Sequence, residues 1–297
     1  MILLFSVFCL LLASRDAFSH LLLAQAVDPI VLLTVYCTSA CIFALIFRIW
    51  RTRSLDFKNV FVELPRSQKF LFLKLGVATW IVYVATIFGI QSLGAAPFNL
   101  IDYGAMPILT LLSGVVFLRE RLSRWHVLGS ITGLTGFALL TLGPSTLSMT
   151  NWDRVGVLLA VVSAVSTSLS SLYQKQQIAF GLHPDEVLLF RFPIPAVLMI
   201  CWVLFHNGVL QISNLPAMLL VAFFGVFLPL LLLCFGFMRA SLSHFASFLF
   251  LIPLFTFVLG PLLVKGEWNK FIDPRVLSGM TLILAGYFAS TKANKKA

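Results

Sequence analysis

The chain has 297 residues, of which 60% are hydrophobic and only 11% are charged. Soluble domains carry about 25% charged residues, so this composition excludes a soluble fold. The net charge of +10 gathers in short loops, which excludes a nucleic-acid stripe and leaves a polytopic α-helical membrane protein.

A transmembrane β-barrel would read as alternating segments of about ten residues. The apolar runs here are continuous and about twenty long, the length that crosses a bilayer as a helix. Ten spans fit, at roughly 2–26, 29–49, 69–91, 95–118, 124–143, 154–179, 185–206, 215–238, 241–264 and 273–291.

Span 1 contains LASRDAFSHLLL, residues 12–23, so Arg15, Asp16 and His20 lie inside an apolar run. A signal peptide would need a basic leading region. None is present and the apolar pattern resumes after His20, so the segment reads as a transmembrane helix. A charge at the bilayer centre costs about 2.5–3.5 kcal/mol on insertion scales, so Arg15 and Asp16 must meet water or partners. Adjacent residues point about 100° apart on a helix, which separates the two side chains. Asp16 and His20 are one turn apart and share a face. The stripe either lines a cavity or forms an internal pair.

Span 2 starts at Asp28-Pro29 and carries Tyr36, with Cys37 and Cys41 beyond it. The five cysteines all lie in apolar runs without a CxxC, and read as packing residues. Span 3 carries Trp80 and Tyr83, three apart, which either stack a flat substrate or pack. Span 4 places Asp102 and Tyr103 ahead of Pro107, with Asn99 beside them. Pro107 cannot donate to the carbonyl of Tyr103, which leaves an acceptor beside a carboxylate. Glu120 lies among Arg119, Arg121 and Arg124 and reads as a solvated cluster. Span 6 is rich in Ser and Thr and ends near Tyr173, Gln174 and Lys175. Lys175 either meets a substrate or snorkels to the interface. Arg191, about a turn into span 7, either clamps a carboxylate or phosphate or pairs with Asp102 or Asp16. His244 reads as interfacial, and His126 and His206 as loop-edge residues.

The two halves repeat. Pro29 to Tyr36 is seven residues, as is Pro184 to Arg191; His20 and Lys175 each precede their Pro by nine. Pro107, Thr110 and Gly114 match Pro253, Thr256 and Gly260, and Glu120 matches Glu267 with one insertion. Gly129 and Gly136 answer Gly279 and Gly286. The fold class is therefore an all-α membrane protein of ten transmembrane helices, built as two five-helix repeats, residues 1–149 and 150–297. Five is odd, so the second repeat enters from the opposite face, the inverted arrangement that lets a central site open alternately. Lys and Arg crowd the loops after spans 2 and 4 and the tail, so the positive-inside rule places both termini in the cytoplasm.

The run SLGAAPFNLIDYGAMPILTLLSGVVFLRERLSRWHVLGSITGLTGFALL resembles the fourth and fifth spans of an EamA-type repeat. With the looser second copy, nearly the whole chain resembles a ten-span member of the drug/metabolite transporter superfamily. The resemblance implies a secondary carrier of the inner membrane with a cavity between the repeats, and many relatives export small metabolites. It implies an Arg after the Pro of the second span, where this chain has Tyr36 and, in the second copy, Arg191. It implies a Lys late in the sixth span, which Lys175 fits. The Trp-Gly pair common in the first span is replaced by Ala13-Ser14-Arg15-Asp16.

No Walker motif, nucleophile elbow or metal spacing is present, which argues against a primary pump and an enzyme. The expected function is secondary export of a small polar or zwitterionic, amino-acid-like metabolite. Uptake of a nucleotide-like or vitamin-like metabolite is the alternative, with an intramembrane enzyme more distant and a non-transporting scaffold a third. Expected substrate-binding residues are Arg15, Asp16, His20, Tyr36, Trp80, Tyr83, Asp102, Tyr103, Tyr173, Lys175 and Arg191. No cofactor, metal or nucleic acid is called for. Proton coupling through Asp16 or His20 stays open. The partners are the bilayer and the substrate, and the chain is a monomer or weak homodimer.

Overall fold

The computed structural model describes residues 2–53, 64–141, 151–205, 214–263 and 274–292. These are helical almost throughout. In the first half the helices are α1 (Ile2–Ala24), α2 (Pro29–Thr52), α3 (Arg66–Leu93), α4 (Ala95–Leu118) and α5 (Arg124–Thr141). In the second half α6 (Asn151–Ala179) is followed by α7 (Pro184–Arg191) and α8 (Pro193–Phe205). Next come α9 (Leu215–Val221), a π-helical turn (Ala222–Phe227) and α10 (Leu228–Phe237). The chain continues through α11 (Leu242–Leu249), α12 (Leu251–Leu263) and α13 (Pro274–Lys292). Among the described residues, seven helical segments are long and apolar enough to cross a membrane, and two shorter apolar stretches lie at Leu242–Thr256 and Leu277–Ala289.

Local chemistry explains the boundaries. Asp28 caps α2, its carboxylate accepting from the amides of Ile30 (2.7 Å) and Val31 (3.2 Å), with Pro29 in the first turn. The equivalent start of α7 is a capping box, in which Glu186 accepts from the His183 amide at 2.9 Å. Gly94, at φ +82°, turns α3 into α4, a conformation glycine adopts without a Cβ penalty.

Prolines do not act alike. α4 continues through Pro107. Span 9 is broken into α11 and α12 at Phe250, one residue past the Leu249 carbonyl that Pro253 cannot reach. Span 7 breaks at Phe192, ahead of Pro193. Span 8 widens into the π turn just before Pro229.

The helix pairs come in repeat-related sets. α3 packs on α6 and α1 packs on α9–α10, and these two contacts exchange when the halves are exchanged. So do α4 on α6 and α12 on α1. α2 meets α7 and α8, and α5 meets α13. The α5–α13 contact is a backbone approach: a Cβ built on Gly136 would lie 2.6 Å from the Gly279 carbonyl, and one on Gly286 2.6 Å from the Gly129 carbonyl. Small residues permit this, as in other membrane helix pairs. The largest apolar cluster runs from Phe5 through Tyr36 and Leu188 to Phe248 and draws on both halves.

Candidate functional site

A buried polar centre lies where α1, α2, α3 and α4 meet α6 and α7. Arg15 and Asp16 are nearly or wholly removed from solvent, at 6% and 0% exposure. The expectation that their side chains diverge is corrected: Arg15 folds back along the helix and pairs with its neighbour, Nη2 lying 2.6 Å from Asp16 Oδ1 and Nε donating at 2.7 Å. An Arg stem is long enough to cancel the rotation between neighbours. Tyr103 closes the pair from α4, donating to Asp16 Oδ2 at 3.0 Å and accepting from Arg15 Nη2 at 3.3 Å. All the oxygens of Asp16 are thus engaged, which offsets the cost of placing a carboxylate there. Asn99, a turn before Tyr103, donates from Nδ2 to Thr256 Oγ1 at 3.3 Å.

Tyr83 joins this group to a second one. The Arg15 guanidinium lies 5.9 Å from its ring centroid, and both Arg15 and Arg191 stand within its electrostatic reach. Arg191 is 4% exposed and donates from Nη1 to Gln174 Oε1 and from Nη2 to Ser170 Oγ at 2.6 Å. Both acceptors are neutral, and Arg191 Nε has no partner. Gln174 donates in turn to Cys234 Sγ at 2.8 Å, tying α6 to α10.

Asp102 forms a third group. Ser163 Oγ donates to its Oδ2 at 3.1 Å and contacts Thr86 Oγ1 at 3.2 Å, while Asp102 Oδ1 has no partner. Asn99 Oδ1 and Trp80 Nε1 are likewise buried and unpartnered. Arg191 and Asp102 are therefore not each other's partners, and each keeps one vacant hydrogen-bonding position.

The remaining expected residues lie around this centre. Tyr36 is buried, its hydroxyl 3.0 Å from Ser19 Oγ on α1. His20 is half-buried beside the Gly94 turn. Tyr173 is half-buried with Lys74 6.0 Å from its ring. Lys175 is turned to backbone, donating to the carbonyls of Phe237 (2.6 Å) and Ala240 (2.7 Å) at the end of α10. Glu120 is not a solvated charge. It accepts from the amides of Leu242 and Ser243, both at 2.8 Å, and from the Ser243 hydroxyl. His244 is buried, 3% exposed against Phe5 and Phe248, rather than interfacial. His126, expected at a loop edge, is buried in the first turn of α5. His206 and Glu267 lie outside the described residues.

Sequence reasoning named Gln174 and Asn99 only as neighbours and did not single out Ser163 or Ser170. The hydroxyl density of α6 was the signal for the two serines, but a single helix does not say which residue faces which partner. Outside the centre, an apolar groove of about 300 Å³ runs between α1 and the α9–π segment, with Leu11, Phe18, Leu220 and Phe224 along it and Arg15 at its floor.

This centre draws on two halves of the chain, and a family profile finds the same two units. The profile of the EamA-like transporter family matches residues 1–142 and again 154–291. The chain belongs to the EamA-like transporter family. It is thus a multi-pass membrane transporter rather than an enzyme, with the two-repeat architecture of the EamA family. No curated protein matches it. A solved structure described only as "Crystal structure of protein" is similar in fold, with a TM-score of 0.71 at 17% identity over 98% of both chains.

Proposed function

We propose that this EamA-like transporter is a secondary carrier of ten spans in two inverted repeats, moving a small polar or zwitterionic, amino-acid-like metabolite outward across the inner membrane. The observation that carries the reading is the buried two-sign centre between the repeats. Its first group comes from the first half, and its second from Arg191, Gln174 and Ser170 in the second half. Arg191 has only neutral partners and a free Nε–H, so a substrate carboxylate completes it with charge-assisted bonds. Asp102 Oδ1 and Asn99 Oδ1 offer acceptors to an ammonium group. Trp80, Tyr83, Tyr36, Tyr103 and Tyr173 supply walls with His20 beside them, and Asp16 takes a substrate cation only once Arg15 or Tyr103 releases it. Lys175 fits this role only once it leaves the α10 carbonyls. Inversion follows from an odd number of spans per repeat and agrees with the exchangeable helix pairs.

The test is counterflow. Purified protein in liposomes loaded with a panel of unlabelled amino acids should take up at least one labelled counterpart. Arg191→Gln should lower that uptake at least about tenfold, the scale of one lost charge-assisted clamp. Flux of the same size in Arg191→Gln would remove Arg191 from the site.

A further inference from the structure

Away from the central site, α2 and α7 meet through charge. Asp185, in the first turn of α7, is fully buried. It accepts from Arg48 Nη1 at 2.8 Å and Arg51 Nη2 at 2.9 Å, and contacts the His183 ring. Glu186 accepts from Arg48 Nη1 at 3.3 Å. The contact lies at the ends of the helices that join the basic loops, hereafter the basic face. On this face Glu120 also binds the start of α11, and Lys175 binds the end of α10. Behind them, all fully buried, Phe5 and Phe245 each meet Phe237 edge to face, and Phe248 lies tilted against Phe5. The Arg48, Arg51 and Glu120 contacts all cross from one repeat to the other.

Every contact between repeats has a counterpart position on the opposite face. Asp185 and Glu186 follow Pro184 directly, where Ile30 and Val31 follow Pro29. Arg48 stands nineteen residues after Pro29, and nineteen after Pro184 is Val203. Ser243 lies ten residues before Pro253, and ten before Pro107 is Pro97, which has no N–H to give. The mates of Arg48, Asp185 and Glu186 are thus the apolar Val203, Ile30 and Val31, and that of Arg51 is His206, outside the described residues; the two carboxylates have no counterpart on the opposite face.

We propose that Arg48, Arg51, Asp185 and Glu186 form a latch holding the basic face shut, and that its lack of a counterpart makes this closed form the carrier's resting conformation. Two identical inverted repeats would give end states of equal energy, so only a difference between the faces can tilt the balance. The intact latch pairs these charges across the closed face, and opening breaks those pairs and hands the charges to water. Without Asp185 the closed form alone buries Arg48 with its nearer carboxylate gone and Glu186 left at 3.3 Å to balance it. The proposal rests on alternating access but is read without any substrate.

The experiment is hydrogen–deuterium exchange of the purified full chain in nanodiscs, comparing wild type, Asp185→Asn, Arg51→Gln and the neutral pair Arg48→Leu/Asp185→Leu. Amides at 44–53 and 185–190 should exchange about tenfold faster in Asp185→Asn, a tenfold change in the opening equilibrium. Arg51 is one-third exposed, so Arg51→Gln should give a smaller rise in the same segments. The neutral pair, which leaves neither of its two positions charged, should exchange more slowly than Asp185→Asn. Unchanged exchange in Asp185→Asn and Arg51→Gln overturns the latch, as does a neutral pair no slower than Asp185→Asn. A rise along every helix in Asp185→Asn reports unfolding, and Arg51→Gln then decides by showing, or failing to show, the local rise. Exchange that responds as stated, in a protein without counterflow, would sink the amino-acid reading and spare the latch. Counterflow with unresponsive exchange would do the reverse.

Discussion

At the scale of single residues, the Arg15–Asp16 pair shows how a charge survives in a greasy helix. Neither residue has another ionic partner among the described contacts, so each depends on the other and on Tyr103. Removing one member leaves the other buried and unbalanced, at a cost of about 3–5 kcal/mol, whereas replacing both by apolar residues is far less costly. Arg15→Leu and Asp16→Leu should each lower the thermal midpoint in detergent more than the double variant does. A double variant as damaging as the sum of the singles would mean that the two do not act as a pair. The sequence marked both residues, because an apolar run interrupted by three ionisable residues is visible to the eye. It did not reveal that adjacent side chains pair, since a helical wheel carries directions but not the reach of an arginine. Nor did it reveal Asp185 as an ionic hub: acids in a first helical turn are ordinary, and nothing local points 137 residues back to Arg48.

At the scale of helices, the seven membrane-length segments were legible from length and hydropathy, and the starts at Pro29 and Pro184 from Pro and its preceding residue. What escaped was the interior of the second half. Pro253 and Pro107 occupy matching positions, yet one breaks its helix and the other does not. The π turn before Pro229 left no sequence signature either. A proline removes one donor, and whether neighbours absorb that loss depends on packing. The glycines of α5 and α13 were, by contrast, readable as a repeat, and their contact is the tightest backbone approach between the halves that glycine substitution can probe. Gly136→Leu should destabilise the protein by about 1–3 kcal/mol through overpacking, seen as a lower midpoint in thermal denaturation. Gly181→Ala, at φ +103° with open space around it, should cost only the strain of its backbone, about 1 kcal/mol. Equal losses in the two variants would argue against close approach at α5–α13.

At the scale of the molecule, the architecture of two repeats was apparent from proline and glycine spacing. The polar centre between them was apparent in outline, because ionisable residues in spans have few other uses. Its division into three groups was not, for that depends on which faces of α3, α4 and α6 turn inward. The excess of Lys and Arg on one set of loops gives the orientation its test: a C-terminal fluorescent protein should be bright and a C-terminal alkaline phosphatase silent. The opposite pattern would invert the assignment of both termini.

The α5–α13 seam has one more consequence. Where peptide groups approach this closely across it, little side chain is left to compress, which resists sliding of the two halves along that edge. In the proposed carrier cycle the seam would then serve as the fulcrum, the stroke growing with lever arm, and stiffening the margin farthest from the pivot should cut substrate passage most sharply.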